Sequence, residues 1–490
     1  MNYVLITVFT PMLGALLMGL IRPKVVAGWV NLLLSLVTLC GALLLALDVH
    51  QHGPIHNSAF RIDAFCVYLV VLTAFVSFTT AIFSRPYMAY VCEIGRVNVN
   101  RLRLYHSMYQ GFIFTMLLAL TVDNLGIMWV AVEGATLTTV LLVSLYRTPE
   151  SIEAAWKYFI LCGVGIALAL FGTVLVYFAA QHVLTDVSQG LSWTALHDVA
   201  EHLNPTVMKI AFIFVLVGYG TKVGLVPLHN WLPDAHSEGP TPVSAVLSGL
   251  LLNVALYAIV RLKMLADASL TEAGSVVMPG HVMMGFGIVS LIVSSLFLHR
   301  QKDIKRMFSY SSIEHMGLMT LGFGIGGPLA TFAALLHMLV HSLTKSAIFI
   351  TVGHAAHIAG TQSIAHIRGL IRTQPVVGWS LLIGVAAIAG FPPFGIFTSE
   401  FLLLSATIHS YPWLAGFLLV GLAIAFAGLF RNLHPMVYGA APEGQHPVKA
   451  NMIPIIVHML LVLWFGLSLP GFLSRWLDQA TQLISGSHLL

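Results

Sequence analysis

The stretch KVGLVPLHNWLPDAHSEGPTP, Lys222 to Pro242, constrains this chain more than any other. An apolar run from about Ile210 carries a lysine at Lys222, meets Pro227 and His229, and is expected to break completely at Pro233. A buried charge is costly in hydrocarbon. Irregular backbone at membrane depth is tolerated only where protein buries it or where it lines a wet cavity. The stretch therefore predicts an interrupted transmembrane helix built around an ionisable side chain. Composition agrees with that reading. Of 490 residues, 58% are hydrophobic and only 9% charged, with a mean hydropathy of +0.89, as expected of an integral membrane protein. The formal net charge of +4 offers no polybasic surface, so no nucleic-acid partner is expected. The four cysteines (Cys40, Cys66, Cys92, Cys162) form no CxxC pair, which argues against iron–sulfur, structural zinc and disulfide frameworks.

The expected fold is an all-α integral membrane protein of about fourteen transmembrane helices. The candidate spans fall near 3–21, 26–47, 62–84, 107–122, 124–146, 154–180, 207–227, 242–266, 280–298, 304–325, 328–354, 376–408, 412–432 and 452–470. The first, Tyr3 to Ile21, lacks a preceding basic region and an A-x-A site, and reads as a retained helix. The twelfth is too long for one simple span. It contains Gly390, Pro392, Pro393 and Gly395, and reads as a second broken helix. If spans 4–8 and 9–13 are five-helix units, each break sits in the fourth helix of its unit, and the odd number inverts the second unit. Interrupted helices at matching positions of inverted repeats point to a transport site. This divides the chain into 1–106, 107–266, 280–432 and 433–490. Lysines and arginines gather in alternate connections: Arg22 and Lys24, then Arg85, Arg96, Arg101 and Arg103, and later Arg300, Lys302, Lys305, Arg306 and Lys449. That bias places both termini outside a prokaryotic inner membrane. With no P-loop, no GxGxxG after a strand and no long soluble segment, the chain offers no expected nucleotide or redox-cofactor site.

Ionisable residues inside spans are functional candidates by default. Glu133, in GIMWVAVEGATL, and Lys222 are the acid and base at similar depth in the first unit. Held together they would keep each other charged, and separating them would move both toward neutrality, which couples helix motion to proton affinity. A static ion pair is the plainer alternative. In HMLVHSLTKSAIFI, His337, His341 and Lys345 fall at i, i+4 and i+8, one helical stripe suited to relaying protons. A metal centre on that stripe lacks a third ligand at suitable spacing in the sequence. Glu400 follows the second break, where glycines and prolines admit water and backbone carbonyls. Glu314 and His315 are adjacent in YSSIEHMGLM, about 100° apart on a helix, so that one is free to face the stripe. Asp234 and His236 are expected to cap short helices. His50, His52, His56, His182, His197 and His202 are expected in solvated loops.

KVGLVPLHNWLPDAHSEGPTPVSAVLSGLLLN, together with HMLVHSLTKSAIFI and GFPPFGIFTSEF, resembles the antiporter-like membrane subunits. These are shared by respiratory complex I, cation/proton antiporter complexes and membrane-bound energy-converting hydrogenases. DNLGIMWVAVEGATL, SIEAAWKYFI and SSIEHMGL look most like the component F type of hydrogenase 4. The resemblance implies fourteen helices, two inverted repeats and a polar axis along the membrane midplane. It assigns proton transfer to Glu133, Lys222, His337, His341, Lys345 and Glu400. Many relatives carry lysine at the position of Asn253, which cannot titrate. The sideways step would then use water, His229 or another histidine, with Glu314 and His315 as further candidates. Pro227, Pro233, Pro392 and Pro393 mark the helix breaks. The implied function is proton translocation within a hydrogenase 4 or formate hydrogenlyase-like oxidoreductase. The chain itself would hold no cofactor. A soluble arm would carry nickel–iron and iron–sulfur centres, with antiporter-like paralogues, other membrane subunits and lipid as partners. Alternatives are a complex I subunit, a sodium or potassium/proton antiporter, and a non-pumping subunit paired with a soluble enzyme.

Overall fold

The computed structural model describes residues 2–21, 24–184, 186–271, 277–441 and 450–490. Arg22 and Lys449, both used above for orientation, lie outside the described residues. The described chain is almost wholly helical: α1 Asn2–Met18, α2 Lys24–His52, α3 Ala64–Glu93, α4 Val99–Thr121, α5 Leu125–Val143, α6 Pro149–Ala180, α7 Trp193–Asp198, α8 Pro205–Val223, α9 Trp231–Glu238, α10 Thr241–Val246 and α11 Leu252–Thr271. There follow α12 Val277–Leu298, α13 Ile304–Ile325, α14 Gly327–Ala359, α15 Leu370–Thr373, α16 Pro375–Ile388, α17 Gly395–Ser410, α18 Pro412–Tyr438, α19 Ile453–Leu467 and α20 Gly471–Ser485. The expected apolar runs are helical, apart from the interruptions in the two expected to break. Among the described residues, nine helices are long and apolar enough to cross a membrane by length and composition. A tenth is counted if α19 and α20, bent by 78°, form one span. The chain is a multi-pass integral membrane protein.

Both expected breaks are present, and they are built alike. α8 ends on Gly224 (φ +82°), where Leu225 N–H donates to Gly220 C=O and Gly224 N–H to Thr221 C=O. α16 gives way to Gly390 (φ +74°), where Phe391 N–H donates to Ala386 C=O and Gly390 N–H to Ala387 C=O. This is the left-handed glycine cap that closes a helix by satisfying its last carbonyls. A cis X–Pro bond follows at the same offset in each, Val226–Pro227 and Pro392–Pro393. The expectation that the first run breaks at Pro233 is corrected. The break lies at Gly224–Asn230, and Pro233 sits inside the first turn of α9, where a missing N–H costs nothing because that turn has no intrahelical acceptor.

α10 and α11 form one continuous helix through a π-turn, Leu247–Leu251, just before Asn253. This helix and α14 are buried along their most apolar windows, so they form the centre of the bundle, whereas α2, α6 and α18 expose most of theirs. Glycines set the closest helix contacts. A Cβ on Gly218 of α8 would meet Ala169 N of α6 at 2.5 Å and Gly165 O at 2.6 Å. Likewise a Cβ on Gly287 of α12 would meet Gly317 O of α13 at 2.7 Å, and the reciprocal distance is also 2.7 Å. Such close backbone approach is the usual way helices pack tightly within a bilayer.

One end of the bundle is closed by a buried ion network. Asp63 caps α3 by accepting from Cys66 N–H (2.9 Å) and takes charged hydrogen bonds from Arg261 (2.6 and 2.7 Å). Arg61 lies 2.9 Å from the same carboxylate, with its guanidinium over the Trp193 ring at 3.5 Å. Burial alone would push the Asp63 carboxyl up, but Arg261 and Arg61 outweigh it and hold it below the ordinary carboxylate range.

Candidate functional site

Lys222 is the penultimate residue of α8, two residues before the Gly224 cap, so the helix break fixes its position. Its side chain is fully buried. The ammonium donates to Tyr158 Oη (3.2 Å) and lies 4.8 Å from the Tyr158 ring and 6.0 Å from the Trp231 ring. Tyr158 and Trp231 stack at 4.5 Å, and Trp231 Nε1–H donates to Thr221 C=O (2.8 Å) across the break. Expected contact between Lys222 and Glu133 is absent: α6 lies between their helices, and among the described residues no carboxylate lies within 4 Å of Lys222. A polar ladder connects them instead. Glu133 Oε2 accepts from Thr136 Oγ1 (2.9 Å), Thr139 Oγ1 donates to Thr136 C=O (3.1 Å), and Thr139 Oγ1 meets Tyr158 Oη at 2.7 Å. Tyr158, Thr136 and Thr139 escaped the sequence reading. Only the i, i+3, i+6 spacing of Glu133, Thr136 and Thr139 hinted at them.

The second cluster gathers four helices. His315 Nδ1 of α13 meets His337 Nε2 of α14 at 3.0 Å, and His337 Nδ1 meets Ser399 Oγ of α17 at 2.9 Å. Glu400 Oε1 lies 3.9 Å from His315 Nδ1. His341 stands one turn along, 5.4 Å from the His315 ring, and neither of its nitrogens has a protein partner. Lys345, fully buried, donates to Phe308 C=O of α13 (3.0 Å). Ser312 Oγ donates to the same carbonyl and bonds Ser248 Oγ of the π-turn at 2.7 Å. Of the adjacent pair, His315 is the one that faces the stripe, while Glu314 is buried with Oε2 lacking a protein partner.

Glu400 is held by the second break, since a Cβ on Gly390 would overlap its carboxylate. Glycine is therefore required there twice over, by φ and by space. The sequence offers no third metal ligand at suitable spacing on the stripe; the structure brings candidates in from other helices. Metal-binding atoms of His315, His337 and Glu400 lie within 4.8 Å of one another, drawn from three helices that no sequence spacing could connect.

Asn253 ties the helix running from Thr241 to Thr271 to α14. Its Nδ2 donates to Ser342 Oγ (2.8 Å) and Met338 C=O (3.2 Å), and Ser342 Oγ donates to Gly249 C=O (2.5 Å) in the π-turn. His229 lies in the first break, buried against Phe297 and Tyr310, and no side-chain hydrogen bond among the described residues joins it to Lys222. Neither Asp234 nor His236 caps a helix, contrary to expectation. Asp234 pairs with Arg306 and Lys157, because α9 packs on α13 and α6. His236 is fully buried and stacks on Phe349 at 5.1 Å, with neither nitrogen bonded to protein. His50, His52, His56, His182, His197 and His202 are exposed, as expected, but His50 and His52 end α2 and His197 lies in α7, not in loops.

Comparison with known proteins agrees with this geometry. The family described as NADH:quinone oxidoreductase/Mrp antiporter, TM, matches residues 122–426, from the Glu133 helix through both breaks. The chain is 47% identical over 474 residues to a Hydrogenase-4 component F homolog of Methylacidiphilum infernorum, covering 97% of this chain and 98% of that protein. It is 26% identical to NADH-quinone oxidoreductase subunit N of Chlorobium chlorochromatii, covering 88% and 85%. Among solved structures, a chain of the membrane-bound sulfane sulfur reductase, an archaeal respiratory membrane complex, superposes with a TM-score of 0.88 at 23% identity, covering 99% of this chain and 98% of that one.

Proposed function

The chain belongs to the NADH:quinone oxidoreductase/Mrp antiporter family, and from that premise we propose that it is the proton-translocating membrane subunit of a hydrogenase 4-like respiratory oxidoreductase. Redox chemistry then occurs on a soluble arm, and this chain holds no cofactor of its own. Antiporter-like paralogues and other membrane subunits flank it. The observation that carries the reading is the buried line His315–His337–Ser399 beside Glu400. It crosses three helices and terminates under a helix break. Hydrogen-bonded imidazoles and hydroxyls at membrane depth serve proton movement better than packing, since each costs burial without adding apolar contact.

In this reading Glu133, Lys222, Lys345, Glu314, the histidines and Glu400 form one axis. Asn253 and the π-turn stand where the two halves join. The matching glycine caps at Gly224 and Gly390 support two inverted five-helix units, 107–266 and 280–432. Glu133 and Glu314 then occupy the second helix of each unit. Orientation with both termini outside follows from the arginine and lysine bias. One charge moved across 100 mV is worth about 2.3 kcal/mol, so a modest redox drop suffices to drive a step.

The test has two parts. Purification through a tag on this chain should bring down nickel–iron hydrogenase subunits, identified by mass spectrometry. In vesicles carrying that complex, Lys222→Ala should abolish acidification while electron transfer persists. Recovery of a soluble non-redox partner, or unchanged pumping by the variant, would overturn the proposal.

A further inference from the structure

Four features of the second cluster together describe a coordination site and not only a relay. First, two imidazole nitrogens and a carboxylate oxygen from α13, α14 and α17 converge within 4.8 Å. Second, the geometry is near what a tetrahedral ion needs. Metal–nitrogen distances near 2.0 Å place two ligand nitrogens roughly 3.3 Å apart, and His315 Nδ1 and His337 Nε2 are at 3.0 Å. A few tenths of an ångström of side-chain movement opens the position. Third, one ligand is already oriented from behind. Ser399 Oγ holds His337 Nδ1 at 2.9 Å, while the Glu400 carboxylate lies close against Gly390. Such supporting partners are what distinguish a built site from a chance cluster. Fourth, a spare donor is at hand, since His341 is buried 5.4 Å from the His315 ring with no protein partner for either nitrogen.

The donor set selects the ion. Two imidazoles and one carboxylate suit zinc, cobalt or copper, whereas calcium and magnesium prefer oxygen throughout. Glu400 lies beside the second break, where Phe391, Pro392 and Pro393 are exposed and Glu400 itself is only partly covered. An ion seated there would displace the proton shared by His315 and His337 and would occupy the space between Glu400 and the two imidazoles.

We propose that His315, His337 and Glu400 bind a zinc-class dication, and that filling this site stops proton transfer through the chain. The second half of that statement rests on the function proposed above; the first does not. The experiment uses the intact purified complex with cobalt(II) as a spectroscopic probe. Added cobalt should give the visible absorption of a tetrahedral ion at one equivalent per chain over the amount bound by a His315→Gln complex, and zinc should remove it. Ser399→Ala keeps all three ligands and should weaken cobalt binding about 10- to 100-fold; it also serves if His315→Gln fails to assemble. Cobalt binding and absorption identical in wild type and both variants would overturn the site. Zinc is then added to vesicles at constant electron transfer. Loss of acidification in the wild type over the same zinc concentrations that displace cobalt supports the block. A variant-sensitive cobalt spectrum with acidification untouched by zinc would keep the site and overturn the block.

Discussion

Lys222 has no carboxylate at contact distance, so what makes its burial tolerable is the hydroxyl and ring of Tyr158 with the Trp231 ring beyond. A desolvated cation over an aromatic face gains about 2 kcal/mol, and a hydrogen bond to a charged group about 1.5–3 kcal/mol. Tyr158→Phe keeps the ring and deletes the hydroxyl that links Lys222 to Thr139 and so to Glu133. Acidification per electron should fall at least about tenfold, since the lower end of that range exceeds the 1.4 kcal/mol of a tenfold change, with the complex still assembled. Unchanged pumping would remove the ladder from the mechanism. Glu133, Lys222 and the stripe were all legible in the sequence, since a charge inside an apolar run is visible to anyone who reads it. Their partners were not. A tyrosine in an apolar helix looks like packing until a lysine is found pointing at its oxygen, and contact between α13, α14 and α17 is set by tertiary structure alone.

At the scale of the element, both interruptions were legible, but their cause was misplaced. Proline drew attention to Pro233, while the chain actually turns at Gly224, in a Gly-x-x-Pro pattern repeated at Gly390–Pro393. Gly224→Ala must adopt a left-handed backbone at roughly 1–2 kcal/mol and brings a Cβ to 2.9 Å from Leu232 Cδ1. A lower thermal midpoint of the solubilised complex should follow; no change would mean the cap is not what shapes the break. Gly287→Val places bulk against the Gly317 carbonyl, and overpacking of that kind costs typically 1–3 kcal/mol. Western blotting of membranes should show reduced accumulation of the chain, with a Gly163→Val control, which faces open space, accumulating normally.

For the whole molecule, the closed end depends on charge. Asp63 has a folded value below its unfolded one, so its contribution to stability is complete above the unfolded value near 4 and is lost as pH falls through the lower folded value. Thermal midpoints should be insensitive to this group from pH 7 to 5 and decline below about 4. Asp63→Asn should remove that acid dependence while costing about 3–5 kcal/mol at neutral pH, because two buried arginines lose their counter-charge. A variant with wild-type stability at pH 7 would show the network to be dispensable. The all-helical class and the multi-pass membrane character were legible from hydropathy. The central position of α14 and of the helix running from Thr241 to Thr271 was not, since α2 is just as apolar yet sits outside.

The glycine contacts between α6 and α8 carry a mechanical corollary. With backbone against backbone at Gly165, Gly172 and Gly218, these two helices have no slack to slide or rock. Tyr158 and Lys222 ride on that welded pair. Movement of the Lys222 ammonium relative to Tyr158 therefore falls to the four-carbon arm of the lysine swinging within a rigid cradle, on the fast clock of a rotamer and not the slow one of a tilting helix.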